Sequence, residues 1–424
     1  MPDIRIAQVG CGGMGLRHLY GQAESQRLYN TFDYVAVCDV SEAAAQHVSM
    51  EANRLLGKKP RVYTSFDDLL ANEKDLDAVD IVTAAGQHHN IALKAAAAGV
   101  NVATEKPMGI TVRACIRMIE AANNNHIVLS VSENYRRDPL NRLNKAILDD
   151  KVLGNQRLFL DMAARGTRNM PHGTAWRHIK TAGGYMLDYA VHNADLLLYF
   201  MGEVDRVYAE TQLWEKTRHV NGPEGLAMRP FYQHREPLEI EKQGTVECTS
   251  EDMASGVIRF KSGAMANFLS TIAAPGADTS NSIIYCDDGS INLGGSRSGR
   301  PSTITRIEEE ESIPENCLLD LVPEFQLDEI TKKAFDGSSR MSSYNLDFAT
   351  IDAKIIAIEL EDFADAIRTG GEPEVTGQVG LDAVALTYAF LESGREQAPV
   401  YFTDVVSDRT NGYQQEINDA FGLN

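Results

Sequence analysis

The sequence is short of positive charge: 40 Lys and Arg stand against 60 Asp and Glu, a formal net charge of −20 in 424 residues. Nucleic acids and anionic lipid surfaces are held mainly through Lys and Arg, so neither is expected as a partner. Cysteine is scarce as well, with six residues at 11, 38, 115, 248, 286 and 317 and no C-x-x-C pair. That spacing offers neither a structural zinc site nor a dense disulfide framework, and a reducing cytoplasm is the expected setting. No uncharged run reaches the length of a membrane span. The chain passes almost at once into the strand-like Ile4 to Val9, so no secretory leader is expected. What remains is the composition of an ordinary globular protein, long enough for two domains.

What is present begins with glycine. Strand-like Ile4 to Val9 runs into Gly10-Cys11-Gly12-Gly13-Met14-Gly15 and then into the helix-compatible Leu16 to Gln26. This is G-x-G-x-x-G with a strand before it and a helix after it, the setting in which glycines turn the chain, admit a pyrophosphate and let helix and strand pack. A second strand, Tyr34 to Cys38, ends at Asp39, where an acid would hold the adenosine ribose hydroxyls. The same acid repels a 2′-phosphate and no Arg or Lys follows it directly, so NAD is expected and NADP disfavoured. Further βα units follow: a helix at Phe66 to Ala71, a strand at Ala78 to Val82, a helix at Ile91 to Ala98 and a strand at Asn101 to Thr104 that delivers Glu105-Lys106-Pro107. Alternating apolar strands and helices predict a doubly wound parallel sheet with its ligand at the carboxyl ends of the strands. Lys106 stands at such an end, where an ammonium can polarise a hydroxyl oxygen and take part in proton relay.

The second organising stretch is Gly183 to Leu197. Read as a helix, it sets Asp188, His192 and Asp195 at i, i+4 and i+7 as one polar stripe, with Met186, Leu187, Val191, Ala194 and Leu197 around it. Acids and a histidine in so apolar a helix need partners or a ligand. The loop before it carries Arg165, Arg168, His172, Trp176, Arg177, His178 and Lys180, locally basic in an acidic chain and suited to sugar hydroxyls. Downstream, alternating segments from Arg206 to Cys286 predict one sheet, Thr217 to Gly244 an inserted loop, and Glu308 to Glu311 a solvated acidic run. Helices are expected from about Tyr344 to Thr369 and from Leu381 to Ser393.

The glycine turn, Glu105-Lys106-Pro107 and the Gly183-Gly184…Asp188…His192 pattern together resemble the Gfo/Idh/MocA oxidoreductases, as do Asn134-Tyr135-Arg136, Trp176-Arg177 and Pro373 to Gly377. The family commonly has Thr-Pro-Asn after the fourth strand; this chain has Thr83-Ala84-Ala85, with His88 matching the usual histidine. The resemblance implies a Rossmann domain, set here at 1–132, and a C-terminal α+β domain on a large, open, mostly antiparallel sheet, set at 133–424, whose sheet joins copies into a dimer or tetramer. It implies oxidation of a ring hydroxyl of a sugar, glycoside or cyclitol with NAD(P). Lys106, Asp188 and His192 then match the family's catalytic set. Expected at the cofactor are Gly10, Gly12, Gly13, Met14, Gly15, Asp39, Thr83, Ala84, His88, Glu105, Lys106, Asn134, Trp176 and Arg177. Expected at the substrate, beside the catalytic three, are Tyr135, Arg165 and His172, with no metal. Asp195 is assigned to helix packing, and the insertion suggests a pocket shaped for a glycoside. Two other readings use the same residues: a metal-dependent hydrolase or lyase built on Asp188, His192 and His172, and a regulatory protein that binds NAD without turning anything over.

Overall fold

Short aliphatic runs without a polar face, such as Tyr34-Val35-Ala36-Val37, become strands covered on both sides. The computed structural model describes residues 4–170, 174–220, 229–232, 234, 239–307 and 312–424. In it β1 (Ile4–Val9), β2 (Phe32–Cys38), β3 (Arg61–Tyr63), β4 (Ala78–Ile81), β5 (Asn101–Glu105) and β6 (Leu129–Ser132) form one sheet in the order β3-β2-β1-β4-β5-β6. Every neighbouring pair is parallel. Helices α1 (Gly13–Leu28), α2 (Glu42–Leu56), α3 (Phe66–Asn72), α4 (Ala85–Ala97) and α5 (Val112–Asn125) make the crossovers. Their ends follow local chemistry. The Ser41 and Thr111 side chains accept the amides of Ala44 and Ala114, and Gly57 closes α2 at φ 70°. Strand order reverses between β1 and β4, which opens a crevice at their carboxyl ends. The helix expected from Ile91 already starts at Ala85, because the polar Gln87, His88, His89 and Asn90 carry no apolar period but fit a helix all the same.

After α6 (Pro139–Asp149) the chain builds a second sheet. Its strands are β7 (Gln156–Ala164), β8 (Val204–Gln212), β11 (Met253–Phe260), β12 (Met265–Thr271), β13 (Thr279–Cys286), β14 (Gly289–Asn292), β15 (Thr303–Arg306) and β16 (Val400–Tyr401), with β9 (Thr217–His219) and β10 (Thr245–Glu247) paired apart from it. The order is β15-β14-β13-β7-β12-β11-β8-β16, antiparallel except where β7 meets β12. The expected α/β architecture is thus present in both halves. Helix Phe348–Thr369 returns to the first sheet and packs along α1, where a side chain on Gly21 would strike Ile356 at 2.3 Å.

Two expectations need correction. The stretch carrying Asp188 and His192 is not one regular α-helix: Met186–Ala190 is a π turn, and only α7 (Val191–Met201) is α-helical. A widened turn of this kind is a frequent companion of functional sites. The segment Thr217 to Gly244 is more than a loop. Its first residues pair as β9 with β10 just beyond its end, and the short helix Arg229–Tyr232 sends Phe231 into the core beside Leu16 and Leu19. Residues 221–228, 233 and 235–238 of that insertion and the run Glu308 to Glu311 lie outside the described residues.

Candidate active site

β1 ends in the glycine turn, and α1 starts at Gly13 with Gly12 as its N-cap. A side chain on Gly15 would strike the Gly10 carbonyl oxygen at 2.2 Å, so helix and turn touch through bare backbone. One on Gly12 would meet nothing within 4 Å. The Gly12 backbone therefore faces open space at the end of a helix whose first amides have no helical acceptor. That is the seat a diphosphate needs. Asp39 is tied to the same turn: its Oδ2 accepts the Cys11 amide at 2.7 Å and its Oδ1 the Ser41 amide at 2.8 Å. Each oxygen keeps a lone pair for a ribose hydroxyl, so the residues fit a dinucleotide.

The two glycines separate folding from binding. Gly12→Ala is expected to melt within about a degree of the parent, since its φ of −75° suits any residue and nothing crowds its Cβ. NAD affinity should fall by at least about tenfold, or ~1.4 kcal/mol. Thermal melting and a fluorescence titration check both.

Beyond the turn, a cavity of about 260 Å³ lies between the first sheet and the π turn. Of the expected residues, Met14, Thr83, Glu105, Lys106, Asn134, Tyr135, Trp176, Arg177, Asp188 and His192 line it. Strand ends deliver the first group. β5 leads through Glu105 to Lys106, whose Nζ donates to the Asp188 carbonyl oxygen at 2.8 Å and to its Oδ1 at 3.2 Å. Arg177 takes the other carboxylate oxygen, Nε to Oδ2 at 2.5 Å, and lies over the Trp176 ring at 4.3 Å. Burial opposes a charge on Asp188, yet Arg177 and Lys106 hold its carboxyl well below the usual carboxylate range. His192 is 8 % exposed, with Nδ1 at 2.7 and 2.9 Å from the two oxygens of Glu133. Burial pushes the His192 pKa down, Glu133 works against that, and Lys106 adds to it. The Asn134 Oδ1 is buried without a hydrogen-bond partner among the described residues, an acceptor that a bound amide could satisfy.

A buried charge relay supports β5 from behind. His18 lies 2.8 Å through Nδ1 from Asp80 and 3.0 Å through Nε2 from Glu105. Burial disfavours its charge, but the two carboxylates push His18 up to about 10. Glu105 therefore serves the scaffold as well as the cavity wall.

Other expectations land elsewhere. His88 is 1 % exposed, with Nδ1 and Nε2 each 3.0 Å from a carbonyl oxygen, those of Pro107 and Thr83. It braces the turn after β4 against the turn after β5 and does not face the cavity. Ala84 is the exposed N-cap of α4, and Ala85 lines the cavity in its place. Arg165 is exposed and reaches the site only at second hand, over the Tyr189 ring at 4.9 Å. His172 lies outside the described residues. Asp195 pairs with Arg136, Nε to Oδ2 at 2.8 Å, and belongs to packing as expected.

The sequence reading missed Arg17, Tyr189, Tyr232, Arg297 and Phe348 on the cavity wall and Glu133 behind His192. Glu133 could have been found, because it directly follows β6 at the same sheet edge as Lys106. Arg297 and Tyr232 carry no such signal. They arrive from a Gly-Ser loop and from the insertion.

The N-terminal region matches the family model described as "Oxidoreductase family, NAD-binding Rossmann fold" over residues 4–133, and the remainder matches "Oxidoreductase family, C-terminal alpha/beta domain" over residues 159–402. The chain belongs to the Gfo/Idh/MocA family. It is an NAD(P)-dependent oxidoreductase. Among its Gfo/Idh/MocA relatives are levoglucosan dehydrogenase of Pseudarthrobacter phenanthrenivorans, 27% identical over 69% of this chain and 73% of that protein, and myo-inositol 2-dehydrogenase of Thermotoga maritima, 25% identical over 95% and 100%. The fold is shared with levoglucosan dehydrogenase solved in complex with NADH and L-sorbose, at TM-score 0.73 and 21% identity over 95% of this chain and 99% of that one.

Proposed function

We propose that this oxidoreductase removes hydrogen from a secondary ring hydroxyl of an uncharged sugar, glycoside or cyclitol, with NAD preferred to NADP. One observation carries the reading: Lys106, Asp188 and His192 meet at one cavity beside the dinucleotide turn. His192 accepts the hydroxyl proton, and Lys106 donates to the same oxygen and steadies its developing charge. Asp188 holds both Lys106 and Arg177 and so fixes where both point. When bound, nicotinamide supplies the two-electron acceptor. Residues 1–132 hold the cofactor and 133–424 supply the proton acceptor and the substrate wall.

The choice of an uncharged substrate rests on the pairing of the cavity's cations. Among the described residues each of the four cations lining the cavity is already ion-paired: Lys106 and Arg177 share Asp188, while Arg17 and Arg297 share Asp352. None of these stands without a carboxylate partner, so a substrate carboxylate or phosphate would have to displace one. Tyr232 of the insertion also lines the cavity, which supports a glycoside over a bare monosaccharide. The names of the relatives, levoglucosan and myo-inositol dehydrogenases, agree with a ring polyol. A panel of cyclitols, aldoses, anhydrosugars, glycosides and sugar acids with NAD and NADP tests this by NADH formation. Uncharged ring polyols should respond; binding of NAD with no response from any of them favours the regulatory reading instead.

Asp39 sets the cofactor preference, since its carboxylate would face a 2′-phosphate at the ribose. Asp39→Ala should raise KM for NAD about tenfold and narrow the NAD-to-NADP ratio of kcat/KM by a similar factor. A homo-oligomer through the second sheet is supported by its outer face. Tyr208, Val257, Met265 and Tyr285 are 40–44 % exposed and share that face across β8, β11, β12, β7 and β13.

A further inference from the structure

Glu133 does not line the cavity and no motif singles it out, yet both of its oxygens converge on one nitrogen of His192. We propose that Glu133, with Tyr135, is a positioning residue that keeps the proton of neutral His192 on Nδ1 and so leaves Nε2 free to accept the substrate proton. The proposal rests on the dehydrogenase reading above and deepens it. A carboxylate only accepts hydrogen bonds, so an Nδ1 that lies 2.7 and 2.9 Å from its two oxygens must carry hydrogen. Among the described residues Nε2 has no hydrogen-bond partner. The carboxylate is itself fixed, because Glu133 Oε1 accepts the Tyr135 amide at 3.0 Å. The ring is fixed as well. Tyr135 stacks on the imidazole at 4.1 Å and 6°, with Arg297 over the tyrosine ring at 5.1 Å.

The geometry assigns a division of labour. During oxidation the substrate O–H bond breaks and an Nε2–H bond forms, the carbinol hydrogen leaves with both C–H electrons as the hydride that a bound oxidised nicotinamide would take up, and the imidazolium that results is balanced by Glu133 without a second proton transfer. Without Glu133 nothing selects the Nδ1–H tautomer, and a ring protonated on Nε2 cannot accept. The charged groups facing His192 are Glu133 after β6, Lys106 after β5, Asp188 on the π turn and Arg297 from the loop after β14. Burial, Lys106 and Arg297 lower the His192 pKa and Glu133 raises it. Since activity needs neutral His192, loss of the Glu133 charge moves the acid limb of kcat/KM to lower pH.

The test begins with the wild-type protein labelled with 15N-histidine, free of ligand, and reads the His192 tautomer from long-range proton–nitrogen correlation. The His192 signals are assigned by their loss in His192→Gln. Nδ1 should be protonated and Nε2 not; the opposite overturns the proposal, whatever the activity of the enzyme. In Glu133→Leu the tautomer should switch and kcat fall by about 10²-fold with KM for NAD unchanged. In the isosteric Glu133→Gln, whose carbonyl can still accept from Nδ1, the tautomer should persist while the acid limb shifts to lower pH. An unmoved acid limb in Glu133→Gln, or an unchanged tautomer in a folded Glu133→Leu, also overturns it. If the dehydrogenase reading is at fault instead, no ring polyol reduces NAD with the wild-type protein while its His192 tautomer stands as described.

Discussion

His192→Ala is expected to lower turnover by about 10³-fold while NAD affinity stays within about threefold of the parent. The size follows from removing the proposed proton acceptor in a cavity where other candidates are committed. Asp188 is bound by Lys106 and Arg177, which hold its carboxyl well below the range of a useful base. Glu105 is bound by His18, and Glu133 lies behind the imidazole it contacts. The proposed cofactor seat, by contrast, is built from Gly12, the start of α1 and Asp39. Steady-state kinetics and an NAD titration on the same preparation separate the two effects. Equal loss of both would mean that His192 supports the fold of the cavity and not its chemistry.

Asp195→Ala is expected to reduce unfolding free energy by about 3–5 kcal/mol, the range for breaking a buried ion pair from one side. Asp195 is fully buried and Arg136 is 8 % exposed, so the substitution strands a guanidinium in the interior. Arg136 packs on the Tyr199 ring at 4.9 Å and cannot swing to solvent without opening that contact. Burial pushes the Asp195 carboxyl up to about 6 in spite of Arg136, a sign of how little water reaches the pair. Replacing both partners by apolar residues of similar size, Arg136→Met with Asp195→Leu, should recover most of the loss. Denaturant melts of the single and double variants check this, and a single variant that melts like the parent would contradict it.

Much of the fold was legible because its signals are local. The glycine turn, the acid at Asp39, the apolar strands and the caps at Ser41 and Gly57 each act within a few residues of themselves. That Lys106, Asp188 and His192 would meet at one cavity was legible for the same reason, as strand-end and helix-face patterns. What escaped depends on three-dimensional closure. The spacing of Asp188 and His192 fits an α-helix or a π turn equally, and the sequence carries no local signal for the widened turn that the backbone adopts at Met186–Ala190. His88 reads as a cofactor residue by position, but its ring is spent on the Thr83 and Pro107 carbonyls. Arg297 and Tyr232 reach the cavity from the far half of the chain, and no periodicity marks them.

Hydrogen tracing tests the central claim most directly. The ring polyol that responds in the panel, deuterated at its carbinol carbons one position at a time, is turned over with NAD and the reduced cofactor is analysed for label. The account predicts deuterium in NADH from one carbon, with none formed by His192→Ala over the same interval. Reduced cofactor free of label from every position, or labelled product formed by His192→Ala at the parent rate, would contradict it.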